Sequence, residues 1–285
     1  MKKAIAILLA FCLCLGLCAC SKGNTTRGDE SVKETDLSTE ALSDTFQYPA
    51  KNSEWEYDVY ERHIVLTKYI GNARDVVIPE TIDGIPVTKL KESDAVGAGG
   101  CFSGLSIGKV TLNKNIKFVA GFEKSTIHTL VFADDEYIEF DSGVFNFCDS
   151  IQNIDDIIAH IPGDEFPNIF AHSESSALHT VTIPDRFTKI ERGAFWGCSK
   201  MQYIDIGNVS EVADLAFGQV RLLGLTVHNK ECKIYDDAFA QSGYGYGHEY
   251  SDYIYTKDLV IYAPAGSTAA KLASELSFDF SLIEK

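Results

Sequence analysis

Apolar residues recur along this chain with a spacing that belongs neither to a helix nor to one long strand. The pattern is clearest from Leu178 to Met201, in the sequence LHTVTIPDRFTKIERGAFWGCSKM. Val181 and Ile183 alternate with threonines, which predicts a strand that ends at Pro184 and is followed by turns. The apolar positions are Leu178, Val181, Ile183, Phe187, Ile190, Ala194, Phe195 and Met201. This segment has no partner of its own on which to bury them, so it predicts stacking against copies of itself.

Copies of the segment are present on both sides of it. Ala-Phe pairs occur at 194–195, 216–217 and 238–239, with a spacing of 22 residues each time. More divergent copies precede them, over 107–119, 127–148 and 151–170. The pattern predicts a right-handed solenoid of about six or seven units, with a parallel sheet on one face and short turns and helical pieces on the other. One phenylalanine from each unit is predicted to stack in the core, and together these residues form a phenylalanine spine. The spine residues are Phe102, Phe122, Phe145, Phe170, Phe195, Phe217 and Phe239.

The consensus L-x-x-V-x-I-P-x-x-x-x-x-I-x-x-x-A-F-x-x-C-x-x-L resembles the leucine-rich repeats of bacterial cell-surface proteins of the BspA type. The resemblance covers most of residues 55–285 and implies a β-rich leucine-rich-repeat solenoid over 51–285. It also implies an N-terminal β cap, and a C-terminal cap made of a helix and a strand. The function implied by the resemblance is adhesion or host interaction, through binding of an extracellular protein or glycan. Because a repeat fold is a scaffold, it identifies no ligand.

The amino terminus has the features of a bacterial lipoprotein signal peptide over residues 1–19. Lys2 and Lys3 precede an apolar run that is too short to span a bilayer comfortably. The following Leu-Cys-Ala-Cys at 17–20 resembles a lipobox, which implies lipid attachment at Cys20. The alternative is an ordinary secretory signal with incidental cysteines. The polar residues after Cys20 predict a disordered tether over 20–50, and the expected location is the extracellular face of the cell envelope.

Charge and motifs restrict the function further. Asp and Glu outnumber Lys and Arg by 41 to 25, for a net charge of −16, so nucleic acid is an unfavourable partner. We predict no catalytic residue, cofactor or metal site, a monomer, and membrane contact through the lipid anchor only. The acidic stretch 134–141 is interpreted as a solvated loop, and cation binding there stays open. The alternative functions are a self-associating envelope protein and a hydrolase with a site on the sheet face.

Four cysteines lie in the repeat region: Cys101, Cys148, Cys198 and Cys232. Cys148 and Cys198 each follow the spine phenylalanine of their unit by three residues, and another unit lies between them. Two ladder steps separate them by about 10 Å, which is too far for a disulfide. We therefore interpret these two cysteines as small buried hydrophobic residues.

One insertion interrupts the repeat spacing. Phe217 precedes Val227 by 10 residues, whereas Phe239 precedes Ile261, in the last repeat strand, by 22. The inserted stretch is rich in tyrosine and glycine, a composition typical of antibody-type binding loops. The ligand-contact residues that we predict are Tyr244, Tyr246, His248, Tyr250 and Tyr253. The alternative is a tolerated insertion whose rings fold back over the edge of the solenoid.

Overall fold

The computed structural model describes residues 44–93, 99–240 and 258–283, which lie within one compact unit, Ser43–Lys285. This unit is a β-solenoid of about nine turns with mostly parallel strands. Its strands are β1 (Phe46–Lys51), β2 (Trp55–Tyr60), β3 (Ile64–Tyr69), β4 (Asp75–Val77), β5 (Thr81–Ile82), β6 (Ile85–Leu90), β7 (Lys109–Thr111), β8 (Phe118–Val119), β9 (Thr129–Val131), β10 (Glu139–Phe140), β11 (Glu165–Phe166), β12 (Thr180–Thr182), β13 (Lys189–Ile190), β14 (Tyr203–Asp205), β15 (Glu211–Val212), β16 (Gly224–Thr226), β17 (Lys233–Ile234), β18 (Val260–Ala263) and β19 (Asp279–Leu282). Its α-helices are α1 (Ile154–His160) and α2 (Thr268–Glu275), and 3₁₀ helices span Ser176–Leu178 and Asp236–Phe239.

The N-terminal cap is an antiparallel sheet formed by β1, β2 and β3, and β3 then pairs in parallel with β6. Alternate residues of β2 are buried, namely Trp55, Tyr57 and Val59. Strand β1 begins at Phe46, within the last part of the stretch 20–50 that the sequence assigned to a tether, and residues 20–43 of that stretch lie outside the described residues. The side chains of β1 are almost all exposed. An exposed edge strand of this kind has no apolar alternation by which the sequence could reveal it.

The main ladder of parallel strands carries the repeat pattern. It contains the sheet β4–β7–β9 and the sheet β12–β14–β16–β18–β19. The central residue of most of these strands is buried, for example Leu130, Val181 and Ile204. Parallel strands in register stack equivalent residues about 4.8 Å apart, so each apolar side chain is covered by those of the next turns. The count of turns exceeds the predicted six or seven because β18 and β19, which follow the last spine phenylalanine, extend the same ladder.

A second ladder of two-residue strands runs beside the main ladder, from β8 to β17. It consists of the pair β8–β10 and the sheet β11–β13–β15–β17, all parallel. The sequence predicted only turns and helical pieces in this part of each unit. Two-residue strands are too short to show an alternation, so only their pairing reveals them.

One turn departs from the repeat. Between β9 and β12 the main ladder is replaced by α1, whose residues Ile154, Ile157 and Ile158 are buried. The Asn153 side chain makes the hydrogen bonds to β9 that a neighbouring strand would otherwise make. Its Nδ2 donates to Leu130 O at 2.7 Å, and its Oδ1 accepts from Leu130 N at 3.2 Å. Arg186 holds the end of α1 by donating to Ile158 O at 2.8 Å. The main ladder is therefore divided into two sheets at this turn.

The predicted phenylalanine spine is confirmed. All seven of its side chains are buried, and successive ring centroids lie 4.8 to 6.3 Å apart. At each end an aromatic ring of a cap meets the spine edge-to-face. Trp55 lies 5.9 Å from Phe102, and Phe278 lies 5.5 Å from Phe239. Each cap thus covers a phenylalanine that would otherwise face water.

The four cysteines of the solenoid are free and buried, as predicted for Cys148 and Cys198. Each of these two thiols donates to the carbonyl oxygen of a spine residue one turn earlier, Phe122 or Phe170, at 3.0 Å. Burial raises the pKa of Cys148 to about 12, so this thiol stays protonated at neutral pH. A buried, protonated thiol is a poor nucleophile, and these cysteines are therefore packing groups.

The C-terminal cap also follows the prediction. Ser267 is the N-cap of α2, and its Oγ accepts a hydrogen bond from Ala270 N at 3.1 Å. Ala269, Leu272 and Ala273 face the core. Strand β19 then extends the main ladder by pairing in parallel with β18.

Candidate ligand-binding site on the sheet face

Several predicted functional residues lie outside the described residues. These are the lipidation site Cys20 and the loop residues Tyr244, Tyr246, His248, Tyr250 and Tyr253. The loop leads into β18 and so connects to the part of the sheet described below. No helix in the described part of the chain is long and apolar enough to cross a bilayer.

The outer face of the main ladder carries two rows of side chains, one on each side of the buried central residues. Register places equivalent residues of β12, β14, β16 and β18 next to one another. The first row is Thr180, Tyr203, Gly224 and Val260, and the second row is Thr182, Asp205, Thr226 and Tyr262. Thr180, Thr182 and Tyr203 of these rows are exposed, whereas Gly224 is buried beneath neighbouring side chains.

Tyr203 and Tyr262 form an aromatic platform around Gly224. A Cβ atom added at Gly224 would lie 2.9 Å from Tyr203 Cδ1 and 3.4 Å from Tyr262 Cε2. The two rings therefore reach from neighbouring strands into the space that a side chain at 224 would fill. Glycine weakens a strand, and inside one it often marks a close approach of other groups. Tyr203 keeps 43% of its surface exposed, so the platform stays open to solvent.

Polar groups lie directly beside the platform. Asp205 is on the same face of β14 as Tyr203, two residues further along. Its Oδ1 accepts from Gly207 N at 2.9 Å, and its carboxylate pairs with His228 Nε2 at 3.2 Å. These contacts fix the orientation of the carboxylate, and Thr182 and Thr226 flank it in the second row.

A groove of about 350 Å³ opens at this end of the strands. Asn208 and Asp185 form part of its wall, with Asn208 Nδ2 donating to Asp185 Oδ1 at 3.0 Å. The lining residues are Thr182, Ile183, Pro184, Asp185, Asp205, Gly207, Asn208 and His228. They offer carboxylate acceptors and amide, imidazole and hydroxyl groups, but no serine or cysteine nucleophile. The arrangement is suited to hydrogen-bonding a polar ligand.

Reasoning from the sequence missed this site. The available signal was Gly224, which lies between Leu223 and Leu225 in a segment that otherwise reads as a strand. An isolated glycine in such a pattern indicates a close approach, but it does not say which side chains approach. Tyr203 and Tyr262 lie on different turns, so only the fold brings them together.

The acidic stretch 134–141 forms a hydrogen bond within itself and an ion pair with the preceding turn. Asp134 Oδ1 accepts from Glu136 N at 3.1 Å, and Glu136 pairs with Lys117 at 2.5 Å. Within residues 44–93, 99–240 and 258–283, no three His, Cys, Asp or Glu side chains are grouped so as to hold a metal ion.

Comparison with known proteins identifies the family. The family described as the BspA type leucine rich repeat region matches residues 96–161 and 166–244, in six copies. The chain belongs to this family. Its BspA-type repeats include β14 and β16, which carry Tyr203, Asp205 and Gly224. No curated protein matches the chain.

Three solved structures are similar to this BspA-type chain. A leucine rich cell surface protein from Faecalibacterium prausnitzii is 18% identical with a TM-score of 0.53, over 78% of this chain and 55% of that one. A leucine-rich repeat protein from Bacteroides ovatus is 12% identical with a TM-score of 0.38, over 83% and 77%. The pneumococcal vaccine antigen PcpA is 10% identical with a TM-score of 0.29, over 84% and 99%. The chain thus spans about half the length of the Faecalibacterium protein, with which it shares the fold.

Proposed function

We propose that this protein is a cell-surface module that binds an extracellular protein or glycan through its repeat scaffold. The observation that carries the proposal is the outer face of the main ladder, where the Tyr203–Tyr262 platform adjoins a polar groove. Aromatic surface beside a few oriented polar groups is the composition expected of a ligand site. The site is built on strands, and the Asp205 carboxylate in it is already held by Gly207 N and His228, an arrangement suited to binding a polar ligand.

The proposed location is the outer side of the bacterial envelope, with a lipid on Cys20 as the anchor. The signal-like residues 1–19 and the lipobox-like Leu-Cys-Ala-Cys support it. Membership of the BspA type family and the name of the Faecalibacterium cell surface protein are consistent with the same location. A polar segment after Cys20 would separate the solenoid from the membrane surface.

The tyrosine-rich loop remains part of the proposed binding surface. It connects the end of the spine at Phe239 to β18, and Tyr262 of β18 forms one side of the platform. Tyrosines give a large amphipathic contact area at a low entropic cost, and the alternating glycines let the backbone adapt to a ligand. We therefore propose that the loop residues and the platform contact the same ligand.

The test uses residues 43–285 as a soluble protein, applied to immobilised host-matrix proteins and to an array of immobilised oligosaccharides. A second protein carries a short Gly-Ser linker in place of residues 243–252. We expect the original protein to be retained on at least one surface, and the linker protein to lose retention with a nearly unchanged melting temperature. Retention by neither protein on any surface rejects the proposed function. A large fall in melting temperature with binding retained shows instead that the loop packs on the solenoid.

Self-association is the second candidate function, and one observation favours it. Phe280 and Leu282 of β19 occupy ladder positions that are fully buried in β18, at Ile261 and Ala263. They are nevertheless 41% and 59% exposed. Exposed apolar residues on an edge strand form a ready contact for a second copy. Sedimentation equilibrium at high protein concentration decides the matter, because a strict monomer rejects this candidate.

A further inference from the structure

We propose that the Tyr203–Tyr262 platform and the adjoining groove bind an uncharged sugar ring of a carbohydrate chain. The inference rests on the proposed binding function and names the ligand class and the residues in contact with it. The proposed contacts are stacking of the ring on Tyr203 and Tyr262, and hydrogen bonds from its hydroxyls to Asp205 and Asn208.

The aromatic part of the site suits the apolar side of a sugar. The C–H groups on one side of a pyranose ring carry partial positive charge, and the face of a tyrosine ring is negative, so the two attract. Tyr203 contacts His179 on its other side, with ring centroids 5.9 Å apart. It therefore has neighbours on two sides and an exposed face, which lowers the entropic cost of ordering it when a ligand binds.

The polar part of the site lies at the right distance from the rings. Side chains two residues apart on a strand point to the same side and are separated by about 7 Å. Asp205 is therefore placed beside a ring stacked on Tyr203, within reach of its hydroxyls. Its carboxylate is already oriented by Gly207 N and His228, and an oriented carboxylate can accept from two adjacent hydroxyls. The Thr182 and Thr226 hydroxyls on either side add groups that both donate and accept.

Charge and size narrow the ligand class. Asp185 and Asp205 both face the groove, and the whole chain carries a net charge of −16, so acidic sugars are disfavoured. A groove of about 350 Å³ falls at the lower end of the range for small-ligand sites, roughly 300 to 1,000 Å³. A stable protein partner would instead need about 800 Å² on each side and a largely apolar centre. One or two neutral sugar units fit the observations better than a protein surface does.

The experiment measures binding of neutral oligosaccharides of glucose, galactose, mannose and N-acetylglucosamine to residues 43–285 by calorimetry. An oligomer of galacturonic acid serves as the acidic probe. We expect a neutral oligosaccharide to bind and the acidic one to bind at least tenfold more weakly. Tyr203→Ala and Asp205→Ala should each weaken binding at least tenfold, whereas Tyr203→Phe should retain it because the stacking face is kept. Tyr235→Ala, at a tyrosine of similar exposure directly after β17, is the matched control and should bind as the original protein does.

Each outcome decides the inference. Unchanged binding by Tyr203→Ala or Asp205→Ala, with melting temperatures equal to that of the original protein, overturns it. Absence of binding to every neutral oligosaccharide overturns it as well. In that case, retention of the same sample on a host-matrix protein leaves the proposed function standing, so the two failures are distinguishable. Should Asp205→Ala lower the melting temperature, Asp205→Asn replaces it, since this variant keeps the size of the aspartate side chain.

Discussion

At the scale of single residues, the phenylalanine spine shows how each turn depends on its neighbours. Phe195 lies between Phe170 and Phe217, with ring centroids 6.3 and 6.1 Å away, and it is fully buried. Removing its ring leaves a cavity that the neighbouring turns cannot fill without breaking the ladder. We expect Phe195→Ala to lower the free energy of unfolding by about 3 to 5 kcal/mol, measured by urea denaturation.

The matched control for that change is Phe147→Ala. Phe147 is 49% exposed and its ring stacks on His172 at the surface, 5.0 Å away. Its loss should lower the free energy of unfolding by less than about 1 kcal/mol, because little buried surface is removed. A loss of less than about 1 kcal/mol for Phe195→Ala as well would show that the spine does not carry the core.

A buried carboxyl group gives the stability a pH dependence. Glu123 is 5% exposed and accepts from the hydroxyls of Ser93 and Ser103. Burial raises the pKa of its carboxyl group above the ordinary value, and Asp141 adds to the rise, although Ser93 opposes it. Burial also raises the pKa of Asp141, and the charge of Glu92 acts in the same direction. The folded state therefore binds more protons than the unfolded state between the ordinary and the raised pKa values. Stability contributed by these groups is greatest below that window and is lost as the pH rises through it.

The variant Glu123→Gln removes one of these titrations. We expect its free energy of unfolding to fall less steeply from about pH 4 to pH 7 than that of the original protein, and to be higher at pH 7. Urea denaturation across that range measures the slope. Glu139→Gln, at an exposed glutamate of β10, controls for the change in net charge. Equal slopes for Glu123→Gln and the original protein would contradict the prediction.

At the scale of elements, the turns from Phe102 to Phe217 each bend at a residue with a left-handed backbone, two positions after the spine phenylalanine. The non-glycine residues at this corner are Lys124, Phe147, His172 and Gln219, with φ between 56° and 61°. Side chains at such a corner point away from the core, which is how Phe147 and His172 come to stack on the surface. The corner repeats because the same bend must bring each chain segment back to the next ladder position.

The junction between the N-terminal cap and the repeats depends on Gly121. Its φ is +78°, and an added Cβ would lie 2.3 Å from Lys91 O and 2.6 Å from Cys101 N, both backbone atoms that cannot easily move. We expect Gly121→Ala to lower the free energy of unfolding by more than about 1 kcal/mol, measured by thermal or urea denaturation.

Gly104 provides the matched control for the change at Gly121. It has a similar φ of +70°, but no atom lies within 4 Å of an added Cβ. Gly104→Ala therefore introduces the backbone strain without the collision, so it should lower the free energy of unfolding by less than Gly121→Ala does. If both variants lose the same free energy of unfolding, the backbone around Gly121 can move away from the added Cβ without destabilising the fold.

At the scale of the whole molecule, the proposed lipid on Cys20 would hold the solenoid at the membrane surface. If Cys20 carries a lipid, the protein expressed in a bacterial host should incorporate a labelled fatty acid and partition into detergent. Cys20→Ser should do neither, because the thioether cannot form. Cys18→Ser is the control and should still be labelled. An unlabelled original protein would exclude the lipid anchor and leave the alternative of an ordinary secretory signal.

The sequence by itself determined the repeat architecture and the phenylalanine spine. Burial in a solenoid follows a local pattern, and repetition at about 22 residues makes that pattern visible even in divergent copies. The same regularity placed Cys148 and Cys198 at equivalent positions and correctly excluded a disulfide between them. Strand β1 was not predicted, because its residues are almost all exposed and show no alternation of apolar and polar positions.

The tertiary structure alone decided the details that join one turn to another. The Asn153 side chain forms hydrogen bonds with Leu130 of the previous turn, where a strand would otherwise pair. The strands of the second ladder are recognisable only from their pairing with one another. The platform joins Tyr203 and Tyr262, which the inserted loop separates further in sequence. The order of turns makes these residues neighbours, and the missing side chain of Gly224 lets their rings approach. A contact between two turns depends on the register of their strands and on the shapes of both side chains. The local sequence pattern of either segment does not determine the register or the fit.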